Sequence, residues 1–326
     1  MAGPDAGEFL DFLAWHGLTS LWLQACERLG LMEEMAPGIA GQLVNVDRAA
    51  RVLSMAQGHA VRQLGAALDA QAIPFAVLKG VAIRDEIYAM AHQRPATDVD
   101  LLVRPQDRQR TGELLAAQGF VHTGDRSSAH EETWQRGSVD LDLHWDVLAP
   151  GRTRRPLVDE LLARRTRPKQ LWRLGDEDTV ALMLLHPAVT KYVCSPHVGL
   201  NRVVDFLLFV RSRPIDWRQV AALIGEAGLT GGAWCMLSWI DMLADSSTVR
   251  NWPEVPDEFR PQLRPGPLKA VYLRRCLERD LPGRLVGRAD WVLRIAFTLP
   301  FHDSLPDAWR AIRLRSKRVR PASLFS

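Results

Sequence analysis

Cysteine is scarce in this sequence, the charges nearly balance, and long apolar runs are missing. Four cysteines are scattered among 326 residues without a paired framework. This usage argues against a disulfide scaffold and predicts a reduced, cytoplasmic protein. The formal net charge of +3 gives no global field of the kind that attracts nucleic acid. No uninterrupted apolar stretch reaches the roughly 18 residues of a spanning helix, and the first residues show no signal-peptide pattern.

Two groups of residues lack the spacing of a known cofactor site. His186, Cys194 and His197 offer three zinc ligands, but their spacing matches no structural zinc pattern, so we interpret them as core or loop residues. The glycine cluster at 225–232 follows no predicted strand. We therefore interpret it as a helix–helix turn and not as a dinucleotide-binding loop.

Two aspartates one residue apart are the most informative feature that is present. Asp98 and Asp100 lie in the apolar segment 97–103, which predicts a buried strand, and residues two apart on a strand face the same side. Neighbouring carboxylates repel each other and are costly to bury without a cation. Such oxygen ligands suit Mg²⁺, which commonly binds one or two carboxylates and the phosphates of a substrate. An Asp-x-Asp pair alone is more often turn or surface chemistry.

The segments on either side of this pair add to the pattern. Upstream, the apolar run 73–78 ends in Lys79-Gly80 and is followed by a predicted helix at 81–90. It predicts a short strand that leads directly into a helix N-terminus.

Downstream, the segment 139–145 alternates strictly between apolar and polar residues. On a half-buried strand this alternation places Asp140, Asp142 and His144 on one face. If this strand pairs near the first one, a third carboxylate joins Asp98 and Asp100.

These segments resemble a known family. The resemblance is carried by Leu78-Lys79-Gly80, the segment from Arg94 to Val103, Asp142-Leu143-His144-Trp145, His186-Pro187 through Lys191, Arg202 to Asp205 and Ile215-Asp216-Trp217. Together they resemble the uncharacterised nucleotidyltransferase family of the polymerase-beta-like superfamily. The resemblance covers most of the chain, from about the first helices to beyond residue 240.

The predicted fold is α+β. We expect N-terminal helices at 1–70 packing on the core, a small mixed-sheet nucleotidyltransferase core at 71–160, and a mostly α-helical half at 161–326 with a basic tail. The expected elements are helices at 8–35, 47–69, 81–90 and 106–118, strands from 73, at 98–103 and at 120–123, and a hairpin turning at Gly137-Ser138 into 139–148.

The resemblance implies a metal-dependent enzyme that moves a nucleoside monophosphate from an NTP to a hydroxyl or phosphate of an unknown acceptor, releasing pyrophosphate. Asp98 and Asp100 would hold the Mg²⁺ (or Mn²⁺) that binds the phosphates. Asp142, which fits the family spacing better than Asp140, would help to hold a second metal or act as the base. Two such cations clamp the attacking and leaving oxygens of an in-line displacement.

The resemblance also implies phosphate-binding residues at the start of the first core helix. Gly80 would let phosphates approach the helix N-terminus, and Lys79 and Arg94 would neutralise phosphate charge. The wider superfamily has Gly-Ser or Gly-Gly where this chain has Lys79-Gly80-Val81, so no serine hydroxyl is offered here.

Each of these residues also has a plainer interpretation. Lys79 could cap a strand end, and Arg94 could only pair with Asp98. His144, which we also count among the cofactor-binding candidates, could be structural. His186 and Asp205 match family positions and could line the cleft, but helix-to-helix pairing is an equal account.

Two alternative functions stay open. The protein could be a catalytically degenerate nucleotide-binding or regulatory module, or a helical interaction protein that uses its basic tail. The segment 309–320 carries six basic residues among apolar ones, which indicates either contact with anionic lipid or RNA, or a solvated terminal helix. The expected partners are an NTP and a small-molecule, peptide or protein acceptor, with nucleic acid less favoured.

Overall fold

Two compact units alternate along the chain. A computed structural model describes residues 6–123, 130–191, 199–244, 255–278 and 290–316. The first unit comprises Met1–Trp145, Leu161–Gly175 and Gly199–Ser212, and the second comprises Asp146–Glu160, Asp176–Val198 and Arg213–Ser326. The predicted division into 1–70, 71–160 and 161–326 stays a prediction. No helix within the described ranges is long and apolar enough to cross a bilayer.

The described residues form fourteen α-helices and one five-stranded mixed sheet, which confirms the predicted α+β class. The helices are α1 (Ala6–Trp15), α2 (Thr19–Arg28), α3 (Pro37–Ala70), α4 (Lys79–Ile87), α5 (Arg108–Ala117), α6 (Val158–Ala163), α7 (Asp176–Lys191), α8 (Asn201–Arg211), α9 (Trp217–Ala227), α10 (Thr230–Ala244), α11 (Phe259–Leu263), α12 (Pro267–Glu278), α13 (Asp290–Phe301) and α14 (Leu305–Ser316). The strands are β1 (Phe75–Leu78), β2 (Asp98–Val103), β3 (Val121–His122), β4 (Glu131–Arg136) and β5 (Val139–His144).

The sheet lies in the first unit and has the order β1-β2-β5-β4-β3. Its centre is the parallel pair β2–β5, and the other neighbours are antiparallel. The hairpin between β4 and β5 turns at Gly137-Ser138, as predicted, with Arg136 opposite Val139. Because β2 and β5 are parallel, the chain must cross over between them, and α5, β3 and β4 lie in that connection.

The sequence pattern explains which strands are buried. Every residue of β1 is buried, and β2 is buried from Val99 onward, as expected for short, continuous apolar runs. In β5 the alternation places Val139, Leu141 and Leu143 in the core, whereas Asp140 and Asp142 are only partly buried. The polar face of β5 is therefore the face on which chemistry can occur.

The prediction of one helix over 8–35 is wrong, because this segment forms two helices. Gly17 has φ +64°, a left-handed conformation that ends α1, and Leu18 then donates its backbone N–H to the carbonyl of Leu13. The turn allows Leu13 of α1 and Leu23 of α2 to pack together with Leu43 of α3.

Helix α3 is longer than predicted. It begins at Pro37, the first position of the helix, where a backbone N–H would have no partner within the helix and its absence costs nothing.

The described part of the second unit is helical, and α7, α9, α10 and α13 pack on one another. The glycine cluster forms the predicted helix–helix turn: Gly228 has φ +74° and ends α9, and α10 starts at Thr230.

A histidine is buried in the second unit. The ring nitrogens of His302 lie 2.7 Å from the Thr298 carbonyl oxygen and 3.1 Å from the Arg152 carbonyl oxygen.

Candidate active site

Four aspartates on two neighbouring parallel strands lie side by side. In the β2–β5 register, Asp98 is opposite Asp140 and Asp100 is opposite Asp142. Residues opposite each other in paired strands point to the same face of a sheet. The strand pairing that would bring a third carboxylate to Asp98 and Asp100 is therefore present, and both candidates for that carboxylate are in place.

The geometry favours Asp142 over Asp140 as the third ligand. Ligand atoms of Asp100, Asp142 and His144 all lie within 4.8 Å of one another. Asp140 instead accepts a hydrogen bond of 2.8 Å from Gln135 Nε2 on the neighbouring strand.

Asp100 is held in its ionised form. It is 3% exposed, and its Oδ1 accepts hydrogen bonds from Lys79 Nζ and from His144 Nε2, the latter at 2.8 Å. Burial raises the pKa of Asp100, but the charge of Lys79 and the hydrogen bond from His144 outweigh it and hold the pKa well below its usual range.

For Asp98 and Asp142, the interactions that favour the ionised form do not outweigh burial. Burial, followed by the charge of Asp100, raises the pKa of Asp98; burial also raises the pKa of Asp142, with Asp98 adding to it. Thr97 and Thr133 each donate one hydroxyl hydrogen bond to these carboxylates, at 3.2 and 2.8 Å. In the part of the chain that is described, neither carboxylate has a salt bridge.

This donor set fits a hard divalent cation. The three carboxylates offer oxygen ligands, which Mg²⁺ and Mn²⁺ prefer. A cation would also lower the two pKa values that burial and the neighbouring carboxylates raise, because opposite charge favours the ionised form. Asp98, Asp100 and Asp142 are the residues that could hold it.

Lys79 reaches Asp100 through a backbone conformation that is rare for a residue with a side chain. It lies at the junction of β1 and α4 with φ +57°. The left-handed conformation costs roughly 1–2 kcal/mol in an ordinary residue, and such strain is concentrated at functional sites. The lysine therefore places a cation beside the carboxylates instead of simply capping the end of β1.

Gly80, the next residue, is packed against the guanidinium of Arg94. A Cβ atom on Gly80 would lie 2.9 Å from Arg94 Cζ, so any larger residue would displace one of the two groups. Glycine is required here for close approach, and in this structure the group that approaches is the arginine.

Arg94 forms a buried ion pair with Asp205 of α8, not with Asp98 as the plainer interpretation had it. Arg94 Nε lies 2.8 Å from both oxygens of Asp205, and Tyr88 Oη donates to Oδ1 at 2.7 Å. All three residues are buried. Asp205 thus fixes the guanidinium that packs on the start of α4.

Arg202 is a cation that the sequence reasoning did not assign to the site. It lies one turn before Asp205 on α8, and its charge interacts with Asp98, Asp100 and Arg94. Burial, followed by the charge of Arg94, lowers the pKa of Arg202. Among the described residues its guanidinium has no hydrogen bond or ion pair. The Arg-x-x-Asp spacing on a helix was the available signal, because residues three apart share a face.

A buried hydrogen-bond chain supports the segment that enters β2. Gln57 Nε2 donates to the Ala96 carbonyl at 2.9 Å, and Gln57 Oε1 accepts from Arg84 Nη1 at 2.7 Å. Arg84 also donates to the Ser54 carbonyl at 3.1 Å, and burial lowers its pKa to about 10. Helix α3 is thereby linked to the residues that position Asp98.

The zinc candidates and the basic tail lie partly outside the described residues. His186 lies in α7, in the second unit, whereas Cys194 and His197 lie outside the described residues. The last part of the basic tail, 317–326, also lies outside them.

The model of a family described as "Uncharacterised nucleotidyltransferase" matches residues 2–244. The chain belongs to this family. The matched range contains every candidate residue of the site, from Lys79 on α4 to Asp205 on α8. The resemblance inferred from the sequence is thus confirmed, and the protein can be treated as a nucleotidyltransferase-family member. A search of curated proteins found no match.

Proposed function

We propose that this nucleotidyltransferase-family protein transfers a nucleoside monophosphate from an NTP to a hydroxyl or phosphate of an acceptor and releases pyrophosphate. The observation that carries the proposal is the β2–β5 register, which brings Asp98 and Asp100 beside Asp142 on one sheet face. Three carboxylates there have the ligand type and number needed for Mg²⁺ or Mn²⁺ with bound phosphates. Such a cation, when bound, supplies charge neutralisation of the transferring phosphate.

The cations around the carboxylates are suited to the phosphates of the nucleotide. Lys79 lies beside Asp100, and Arg202 lies close enough to interact with the same carboxylates while keeping its guanidinium unpaired among the described residues. An NTP brings several negative charges, and these two side chains would balance them. Arg94 contributes indirectly, because it is held by Asp205 and packs on Gly80.

Asp142 would either help to hold a second metal or, where no second metal binds, accept the proton of the acceptor hydroxyl. Its pKa is raised by burial, which moves a carboxylate toward the range useful to a general base. Thr133 Oγ1 donates to its Oδ1 at 2.8 Å and leaves the other oxygen available. His144 is placed to orient Asp100 through its Nε2–H, so we assign it a positioning role.

A small molecule, a peptide or a protein side chain could supply the hydroxyl, since none of the assigned residues reads its identity. A cytoplasmic location is part of the proposal and depends only on the scattered cysteines.

One observation favours the alternative of a nucleotide-binding module without turnover. Lys79 already neutralises Asp100, so a metal ligand is engaged by a side chain of the protein itself. A protein of this kind would bind an NTP through Lys79 and Arg202 without needing a divalent cation.

The experiment that separates the two is thermal stabilisation of the purified protein by each of the four NTPs, with and without Mg²⁺ or Mn²⁺. A ligand that binds only the folded state at a hundred times its Kd adds about 2.7 kcal/mol to stability. We expect a shift that requires the divalent cation and is lost in Asp98→Asn. A shift of equal size without the cation supports the binding module, and the absence of any shift contradicts the proposal.

Two further variants make the assignment of the third carboxylate testable. Asp142→Asn should reduce the metal-dependent shift more than Asp140→Asn, because Asp140 is engaged by Gln135. The reverse order would move the third ligand to Asp140. Glu113→Gln, on the exposed side of α5, is the matched control and should behave as the wild type.

A further inference from the structure

A second group of potential metal ligands lies at the end of the hairpin next to the aspartates. Glu131 is the first residue of β4, and His130 directly precedes it. Glu131 is directly opposite His144 at the end of β5. Glu131 Oε2 is 3.4 Å from His144 Nδ1 and 3.4 Å from His130 Nε2. One ligand atom from each residue lies within 4.8 Å of the other two.

Two of the three distances between the ligand atoms fit tetrahedral coordination. Zinc binds imidazole nitrogen and carboxylate oxygen at about 2.0–2.2 Å, so two ligand atoms of a tetrahedral site lie about 3.3–3.5 Å apart. The two contacts of Glu131 have this length, and the ligand atoms of His130 and His144 lie within 4.8 Å of each other. The chain is also pinned here, because the His130 carbonyl accepts the backbone N–H of Trp145 at 2.9 Å.

The tautomer of His144 presents a lone pair to this group. Its Nε2 lies 2.8 Å from a carboxylate oxygen of Asp100, which accepts the hydrogen bond of the tautomer that carries its proton on Nε2. In that tautomer Nδ1 carries a lone pair, and this atom is buried without a hydrogen-bond partner among the described residues. It faces Glu131 Oε2, which is also an acceptor when ionised. Either a proton on Nδ1 or a metal ion would satisfy both atoms.

We propose that His130, Glu131 and His144 form a binding site for a transition-metal ion such as Zn²⁺. Two imidazoles and one carboxylate are typical zinc ligands, whereas the aspartates beside them offer only oxygen and favour Mg²⁺ or Mn²⁺. Asp100, His144 and the metal would form the carboxylate–histidine–metal arrangement that commonly fixes the ring of a ligating histidine. The site does not depend on the proposed nucleotidyl transfer.

A metal at this position would act on the hairpin and on Asp100 at once. It would join the start of β4 to the end of β5, and it would hold the His144 ring in the orientation that donates to Asp100. We therefore expect the ion to be structural and to orient Asp100, with no contact to a reacting group.

The test is titration of the full-length, chelator-treated protein with Zn²⁺ in a buffer that contains excess Mg²⁺, followed by calorimetry. We expect one equivalent to bind to the wild type, and binding at least tenfold weaker in Glu131→Gln and His130→Gln. His59→Gln, which changes an exposed histidine of α3, is the matched control and should bind as the wild type does. Asp98→Asn should retain zinc binding while losing the nucleotide shift, which separates this site from the proposed catalytic one.

Glu131→Gln keeps the test decisive if His130→Gln fails to fold, because the Glu131 side chain is 39% exposed and glutamine preserves its shape. X-ray absorption of the Zn²⁺ complex should show two imidazole ligands in the wild type and one in His130→Gln. Equal zinc affinity in the wild type and the ligand variants would overturn the proposal. The absence of wild-type binding at micromolar Zn²⁺ would overturn it too.

Discussion

Replacing Asp205 with asparagine removes one charge from a buried ion pair without changing the shape of the side chain. The side chains of Arg94 and Asp205 are 8% and 6% exposed, so water cannot compensate for the lost charge. Removing one partner of a buried pair costs about 3–5 kcal/mol, because the other charge is left uncompensated. We expect Asp205→Asn to lie near the lower limit, since its amide oxygen still accepts one hydrogen bond.

Tyr88→Phe is a milder substitution in the same buried cluster and should cost less stability. It removes only the hydrogen bond of 2.7 Å from Tyr88 Oη to the Asp205 carboxylate. A hydrogen bond to a charged group is worth about 1.5–3 kcal/mol, so Tyr88→Phe should cost less than Asp205→Asn. Adding Arg94→Met to Asp205→Asn should then cost less than Arg94→Met alone, because the charge that needed a partner has gone.

The assay is urea unfolding followed by tryptophan fluorescence, with the free energy of unfolding compared among the variants. The matched control is Glu278→Gln, which breaks the exposed pair formed by Arg274 Nε and Glu278 Oε1 at 3.0 Å on α12. Exposed pairs of this spacing contribute about 0.3–0.5 kcal/mol. A cost for Asp205→Asn no larger than that of Glu278→Gln would refute the buried-charge reasoning.

Three further predictions concern backbone and pH. Gly80→Ala should destabilise the protein by about 1–3 kcal/mol in the same assay, because its Cβ would meet Arg94 Cζ at 2.9 Å; an unchanged stability would mean that the arginine moves freely. Lys79→Gly should be more stable than Lys79→Ala by about 1 kcal/mol, since both lose the ion pair and only glycine relieves φ +57°; equal stabilities would exclude strain. Burial lowers the pKa of His302, so the unfolded chain protonates first and stability falls as pH drops below about 6.5. His302→Gln should flatten this slope of unfolding free energy against pH, and an unchanged slope would contradict it.

The central strands could be predicted because their signal is local. An apolar run containing Asp98 and Asp100, and a strict alternation from Val139, each fix a strand and its faces without knowledge of the rest of the chain. The break between α1 and α2 was missed because apolar residues continue on both sides of Gly17, so the helical period concealed the turn.

The remaining parts of the site depend on residues far apart in sequence. Arg94 and Asp205 are 111 positions apart, and no local pattern connects an arginine before a proline with an aspartate in a later helix. The position of Glu131 opposite His144, in contrast, could have been predicted from the sequence. A two-residue turn at Gly137-Ser138 sets the whole hairpin register, and that register places Glu131 opposite His144.

The central position of β2 and β5 in the sheet determines how easily these strands unfold locally. Each of these strands is hydrogen-bonded on both sides, whereas β3, at the edge, has two residues. Amide hydrogens in the middle of a sheet exchange with solvent only when much of the domain unfolds, and edges open first. The aspartates therefore belong to the slowest-exchanging part of the sheet, and under the function proposed above a cation would bind to side chains carried by its most stable strands.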